Sequence, residues 1–165
     1  MKNSVILNNA QIQHKTKRIA YQILESNSSE KEVVLAGIVG NGYVFAKRIQ
    51  QELQEISDLK TLLCEVQVNK KNPLEKINTS LPSSAYQNKS LVLVDDVLNS
   101  GATLIYGVKH FLEVPLLRFK TAVLVNRNHK KYPVKADFKG LSLSTSLQES
   151  IQVVFDKKES YAYLN

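Results

Sequence analysis

The sequence predicts an α/β fold in which a mainly parallel sheet is flanked by helices. Uninterrupted apolar runs, typical of strands covered on both faces, occur along the chain. They alternate with segments whose apolar residues recur every three or four positions, the period of an amphipathic helix. This spacing is that of β-α-β units, which connect parallel strands. The 165 residues show no repeat, low-complexity tract or linker, so we expect a single domain over residues 1–165.

The first half of the chain predicts a helix, a strand and a second helix. Apolar residues at helical spacing over Asn9–Asn27 predict the first helix, which Asn8 or the first residue of that range can cap. The apolar run Glu32–Val39 predicts a buried strand. A tight loop follows at Gly40, Asn41 and Gly42, and helical spacing resumes over Phe45–Ile56.

The second half predicts further strands and one long loop. Thr61–Val68 and Lys120–Val125 are strand candidates, and Leu91–Val94 is a short buried strand that leads into a helix. The polar stretch Asn69–Asn88 predicts a long mobile loop, of the kind that often acts as a lid. From Asn126 onward the pattern changes to short strands and turns, which would form a small hood.

Composition narrows the classes of molecule that this protein could bind. The chain has 22 Lys and Arg against 15 Asp and Glu, a formal net charge of +7. This excess favours polyanions such as nucleic acid or phosphorylated metabolites, and a solvated basic surface is the alternative.

We expect neither a disulfide nor a membrane span. Cys64 is the only cysteine and residues 1–10 lack the apolar segment of a signal peptide, so a cytoplasmic location is expected. The longest apolar run, Val33–Val39, is far shorter than the ~20 residues of a bilayer-spanning helix.

Two adjacent carboxylates and a small hydroxylated loop form the most informative motif. The strand Leu91–Val94 ends at Asp95 and Asp96, and a helix follows soon after. In open α/β sheets this edge binds ligands, and the free amides of a helix N-terminus suit a phosphate. The loop between them consists of Asn99, Ser100, Gly101, Ala102 and Thr103.

The two carboxylates would repel a phosphate, so they must face another part of the same ligand. Vicinal hydroxyls or a Mg²⁺ ion held by oxygens would satisfy Asp95 and Asp96. A phosphorylated sugar fits both halves of the motif. The alternative for the pair is two solvated residues in a turn.

The motif resembles the ribose-5-phosphate signature of type I phosphoribosyltransferases, which use 5-phosphoribosyl 1-diphosphate (PRPP). Most of the chain is also similar to bacterial pyrimidine-operon regulators that act as uracil phosphoribosyltransferases. The similar stretches include Lys17–Ala20, Gly37–Gly42, Ala46–Arg48 and Ala122–Val125.

This resemblance implies a role for each part of the motif. Asp95 and Asp96 would hold the ribose hydroxyls directly or through Mg²⁺, and Asn99–Thr103 would bind the 5-phosphate. Gly40–Gly42 would form the pyrophosphate loop, where the family often has a non-proline cis peptide; a hairpin turn is the competing interpretation of Asn-Gly. Lys70 and Lys71, on the long loop, would close over the reaction, although they could equally be exposed loop lysines.

Two positions depart from the family pattern. Asn41 stands where the pyrophosphate loop usually has Arg or Lys, and a neutral amide cannot replace a bidentate cation on a diphosphate. Asn99 stands where purine-using relatives have an acidic residue, and an amide cannot act as a base. We therefore expect the type of ligand to be kept and the activity to be reduced.

The resemblance also implies RNA binding, which is the alternative function for this chain: an RNA-binding regulator or nucleotide sensor with weak or no catalysis. Arg18, His129, Lys130 and Lys135 fall at basic positions of the RNA face of the pyrimidine regulators. A solvated basic surface is again the alternative. Relatives commonly form homodimers, so a homodimer is expected, and the base is not fixed by any motif.

Overall fold

Four helices and nine strands make up the computed structural model, which describes residues 4–165. In chain order the elements are β1 (Ser4–Leu7), α1 (Asn9–Ser26), β2 (Glu32–Ile38), α2 (Asn41–Ile56), β3 (Lys60–Gln67), β4 (Asn78–Thr79), α3 (Ser83–Tyr86), β5 (Ser90–Leu98), α4 (Ala102–Phe111), β6 (Arg118–Arg127), β7 (Phe138–Leu143), β8 (Ile151–Val154) and β9 (Tyr161–Leu164).

The central sheet has six strands in the order β4-β3-β2-β5-β6-β7. All neighbouring strands are parallel except β4, which pairs antiparallel with β3. The predicted α/β fold with a mainly parallel sheet is therefore confirmed. The predicted first helix begins one residue after Asn8, whose side chain accepts a hydrogen bond from the Gln11 amide in a capping box.

Alternate side chains of the strands fill two hydrophobic clusters on opposite faces of the sheet. On one face Leu35 and Val94 pack with residues of α1 and α2. On the other face Ile38 and Leu93 pack with residues of α4, including Phe111. Because both faces are covered, β2 and the first half of β5 are almost continuously apolar. Among residues 4–165, no helix has both the length and the apolar character needed to cross a membrane.

A second, antiparallel sheet of three strands, in the order β1-β9-β8, forms the hood. Its inward side chains, among them Leu7, Val153 and Ala162, are buried in the same cluster as α1 and α2. This packing holds the hood over one end of the central sheet.

One predicted loop and the end of one predicted strand were wrong. The polar stretch Asn69–Asn88 is not without structure of its own: it contains β4 and α3, and its Ile77 and Tyr86 are buried in the cluster on the α4 face. The strand that was expected to end at Val94 continues to Leu98, because the pairing of β5 with β6 extends past the carboxylates. The apolar pattern missed this extension because polar residues interrupt it.

Candidate active site

Two glycines with positive φ turn the chain from a strand into a helix at the same edge of the sheet. Gly40 has φ 86° between β2 and α2, and Gly101 has φ 88° between β5 and α4. Side chains other than glycine rarely adopt this conformation. Because β2 and β5 are adjacent and parallel, the two loops lie side by side at the carboxyl ends of the strands.

The loop before α4 is built to receive an anion. The helix begins at Ala102 and carries no acidic residue in its first turn. Its first amides have no helical partner, although that of Ala102 donates to Oγ of Ser100 at 3.3 Å. A Cβ on Gly101 would lie 2.6 Å from Cγ1 of Val134. The amides of Lys131 and Tyr132 donate hydrogen bonds to the Ser100 carbonyl at 2.8 and 3.1 Å. The segment after β6 therefore fixes the back of this loop.

The loop before α2 packs directly against the end of β5. A Cβ on Gly42 would lie 2.9 Å from the Val94 carbonyl oxygen and 3.0 Å from Oδ1 of Asp95. The chain continues as a helix, so the hairpin interpretation of Asn41–Gly42 was wrong. All peptide bonds of residues 4–165 are trans, so the cis peptide implied by the resemblance is not present in this loop.

Asp95 is a buried carboxylate with one cation near it. Its side chain is 6% exposed, its Oδ1 accepts a hydrogen bond from the Asp96 amide, and the same oxygen lies 3.8 Å from Nζ of Lys70. Burial, followed by the negative charge of Asp96, raises the pKa of Asp95 to about 8, and Lys70 opposes this rise. The ionised form of this carboxylate is therefore unfavourable unless a cation or further hydrogen-bond donors reach it.

Asp96 is partly exposed and held by two donors. The Val97 amide donates to its Oδ1 at 2.9 Å, and Nδ2 of Asn41 donates to its Oδ2 at 3.1 Å. The same amide nitrogen of Asn41 donates to the Val153 carbonyl on β8 at 2.8 Å. One side chain therefore connects the second carboxylate to the hood.

The two carboxylates and the anion loop line one cavity of about 220 Å³. Most of the predicted site residues meet here, but Lys71 is exposed outside the lining, and Gly40–Gly42 adjoin the cavity only through their contacts with Asp95 and Asp96. The lining consists of Lys70, Asp95, Asp96, Val97, Leu98, Asn99, Ser100, Gly101, Ala102, Thr103, Leu104, Val123, Ile151 and Gln152.

Sequence reasoning missed six residues of the lining: Val97, Leu98 and Leu104 adjoin predicted site residues in the chain, whereas the other three come from elsewhere. Val123 lies within a predicted strand, and its apolar side chain gives no sign of a site. Ile151 and Gln152 come from β8, a four-residue strand of the hood. A strand this short carries too few residues for a pattern to place it over a pocket more than 40 residues away in the chain.

The donor set suits a hard cation that is shared with a ligand. Carboxylate oxygens are the protein ligands that Mg²⁺ prefers, and Asp95 and Asp96 both line the cavity. Within residues 4–165, no group of three or more His, Cys, Asp and Glu side chains could hold a metal ion. Mg²⁺ would fit this cavity with most of its coordination supplied by a ligand and water.

Two of the four residues expected on an RNA face make hydrogen bonds to carbonyls of the same chain. The guanidinium of Arg18 donates to the carbonyls of Lys139 and Gly140 on β7, at 2.7 and 2.8 Å. The ring of His129 contacts the Thr145 carbonyl. The remaining two, Lys130 and Lys135, are exposed. Nζ of Lys135 lies 3.6 Å from Oδ1 of Asp137.

Comparisons with known proteins find relatives along most of the chain. Residues 3–158 match the model of the phosphoribosyl transferase domain. The chain is 33% identical over 157 residues to the "Bifunctional protein PyrR" of Streptococcus equi subsp. zooepidemicus, covering 93% of this chain and 90% of that protein. It is 29% identical over 164 residues to the protein of the same name from Streptococcus agalactiae, covering 98% and 95%.

Solved structures share the fold at low sequence identity. The hypoxanthine phosphoribosyltransferase of Trypanosoma cruzi superposes with a TM-score of 0.76 at 14% identity, covering 96% of this chain and 95% of that one. A hypoxanthine-guanine phosphoribosyltransferase from Bacillus anthracis gives 0.72 at 18% identity, covering 87% and 84%.

Proposed function

Since this chain belongs to the phosphoribosyltransferase family, we propose that it transfers ribose 5-phosphate from PRPP to a nucleobase and releases pyrophosphate. The observation that carries this proposal is the cavity that Asp95 and Asp96 share with the loop Asn99–Thr103. Uracil is the proposed acceptor, because the sequence resembles the pyrimidine regulators more than the purine enzymes.

In this proposal, different groups of the protein bind the 5-phosphate and the ribose hydroxyls of PRPP. The first amides of α4 and the hydroxyls of Ser100 and Thr103 bind the 5-phosphate. Asp95 and Asp96 accept hydrogen bonds from the ribose hydroxyls, which are donors that a phosphate cannot supply.

The reaction breaks the C1–O bond to pyrophosphate and forms a C1–N bond to the base. Positive charge develops on the sugar and negative charge on the leaving group, so the carboxylate of Asp96 near the ribose stabilises the transition state. Mg²⁺, held by Asp95 and Asp96, would neutralise charge on the pyrophosphate. Asn99 can hydrogen-bond in the cavity but cannot accept a proton as a base.

Lys70 supplies the cation that lies nearest the carboxylates. Its side chain is 50% exposed, and its loop leads from β3 over the edge of the cavity. In the proposed cycle this lysine leaves Asp95 when the donor binds and moves toward the pyrophosphate, and the neighbouring Lys71, which lies outside the lining, adds a second positive charge as the loop closes. Closure of the loop would exclude water, which otherwise hydrolyses PRPP.

The test is conversion of uracil and PRPP to the nucleoside monophosphate in the presence of Mg²⁺, followed by chromatography. Asp96→Asn keeps the shape of the side chain and removes its charge, so we expect turnover to fall by about 100-fold or more. Absence of turnover with every common purine and pyrimidine base would refute the enzymatic proposal. Unchanged turnover in Asp96→Asn would refute the role of that carboxylate.

RNA-dependent regulation is a second candidate function. It is supported by the name "bifunctional" of the relatives, the net charge of +7 and the exposed Lys130 and Lys135. Binding to a pyrimidine-rich leader RNA should weaken steeply with salt, because each phosphate contact releases counterions. Salt-independent binding, or none, would remove this candidate.

A further inference from the structure

We infer that Asn41 is a positioning residue, which orients the carboxylate of Asp96 and fastens it to the hood, and that its side chain is not a pyrophosphate ligand. This inference rests on the proposed role of Asp96 in binding the sugar. It assigns a function to a position at which the family resemblance implies Arg or Lys.

The hydrogen bonds of the amide carry the argument. Nδ2 of Asn41 lies 3.1 Å from Oδ2 of Asp96 and 2.8 Å from the Val153 carbonyl oxygen. Both neighbours are acceptors, so the NH₂ group and not the amide oxygen must face them. A primary amide has two N–H donors, and both are used here. None is left for a diphosphate.

The backbone around Asn41 allows little adjustment. Gly40 holds the left-handed φ of 86°, and Gly42 is pressed against the Val94 carbonyl and Asp95. The first residue of α2 is therefore held at a fixed position between β5 and β8. A short amide can reach both acceptors from there, whereas the longer Arg or Lys of relatives would have to fold back to do so.

The contact restrains the carboxylate of Asp96 from the side of the hood. Asp96 has one donor on each oxygen, the Val97 amide and the Asn41 amide, so its plane is set before any ligand arrives. The second acceptor of the Asn41 amide, the Val153 carbonyl, lies on β8, the edge strand of the hood. Ile151 and Gln152 of the same strand line the cavity. Movement of the hood is thus transmitted to Asp96. Because the link is neutral, the charge of the carboxylate remains available to the sugar or to a cation.

The experiment compares Asn41→Ala and Asn41→Asp with Asn9→Ala as the matched control. Asn9 also binds the hood through its side chain, accepting the Ser160 amide at 3.1 Å, but lies away from the cavity. Amide hydrogen exchange over residues 151–154 is measured in the ligand-free protein, and kcat and KM for PRPP are measured separately.

For Asn41→Ala we expect exchange over residues 151–154 to accelerate roughly tenfold and kcat to fall at least as much, since two hydrogen bonds are lost. Asn41→Asp should be worse in both readouts, because it places an acceptor against two acceptors. Asn9→Ala should leave kcat unchanged.

Three results would overturn the inference. In the first, Asn41→Ala raises KM for PRPP alone, with kcat and exchange unchanged, as loss of a direct ligand would do. In the second, both readouts stay at wild-type values. In the third, Asn9→Ala lowers kcat as much as Asn41→Ala does. If the wild-type protein shows no turnover, the proposed function fails, and unchanged exchange in Asn41→Ala would still refute the link to the hood.

Discussion

Asp95 should destabilise the ligand-free protein at high pH, and Asp95→Asn should relieve this cost. The pKa of the folded side chain is raised from 3.8 to about 8, chiefly by burial. Between these values the unfolded chain has released the proton and the folded protein has kept it. The free energy of unfolding therefore falls as pH rises, and the loss is complete once pH exceeds the folded pKa.

The magnitude follows from the size of the shift. Each pH unit in this window costs up to 1.36 kcal/mol, so from about pH 5 to about pH 8 the stability contributed by this group falls by as much as ~4 kcal/mol. An asparagine does not titrate and can still accept the Asp96 amide, the hydrogen bond that Oδ1 of Asp95 now receives at 2.9 Å. The stability advantage of Asp95→Asn over wild type should thus grow with pH by about 2 to 4 kcal/mol.

Urea unfolding followed by circular dichroism at the two pH values measures this difference. The m-values of the two proteins should agree, so that the change is one of stability alone. Asp58→Asn, at an exposed carboxylate, is the control and should show no comparable growth with pH. A difference between Asp95→Asn and wild type that is independent of pH, or that shrinks as pH rises, would refute the reasoning.

Three further substitutions test other parts of the site and the fold. Lys70→Ala removes the charge that lowers the pKa of Asp95, so the pH-dependent loss of stability should extend to higher pH than in wild type; an unchanged profile would contradict the ion pair. Gly101→Ala forces a side chain into positive φ and against Val134, so it should cost about 1 to 2 kcal/mol or more in urea unfolding and weaken ribose 5-phosphate binding measured by calorimetry. Arg18→Ala should lower stability by roughly 0.5 to 1.5 kcal/mol, because two carbonyls of β7 lose a charged donor. A stability equal to wild type would show that these two hydrogen bonds contribute nothing to folding.

The parallel sheet and the core of the site could be predicted because their signals are local. Apolar runs fix buried strands, and the sequence from Asp95 to Thr103 places carboxylates and an anion loop at one sheet edge. The tertiary links could not be predicted. Nothing near Asn41 in the sequence indicates that its amide reaches Val153, and Lys70 lies 25 positions from the carboxylate it approaches. Such contacts depend on how loops cross the sheet edge, which hydrophobic periodicity does not encode.

The hood joins segments from opposite ends of the described chain. Ser4 pairs with Leu164, so this small sheet encloses almost the whole sequence in one loop. Pairings between such distant residues carry a large entropic cost and form slowly. We expect strands β2 to β6 to assemble early during folding and the hood to pack over the cavity late. The protein would then bind a ligand only once folding is complete. Until the hood packs in place, Asp95 and Asp96 would stay exposed to water.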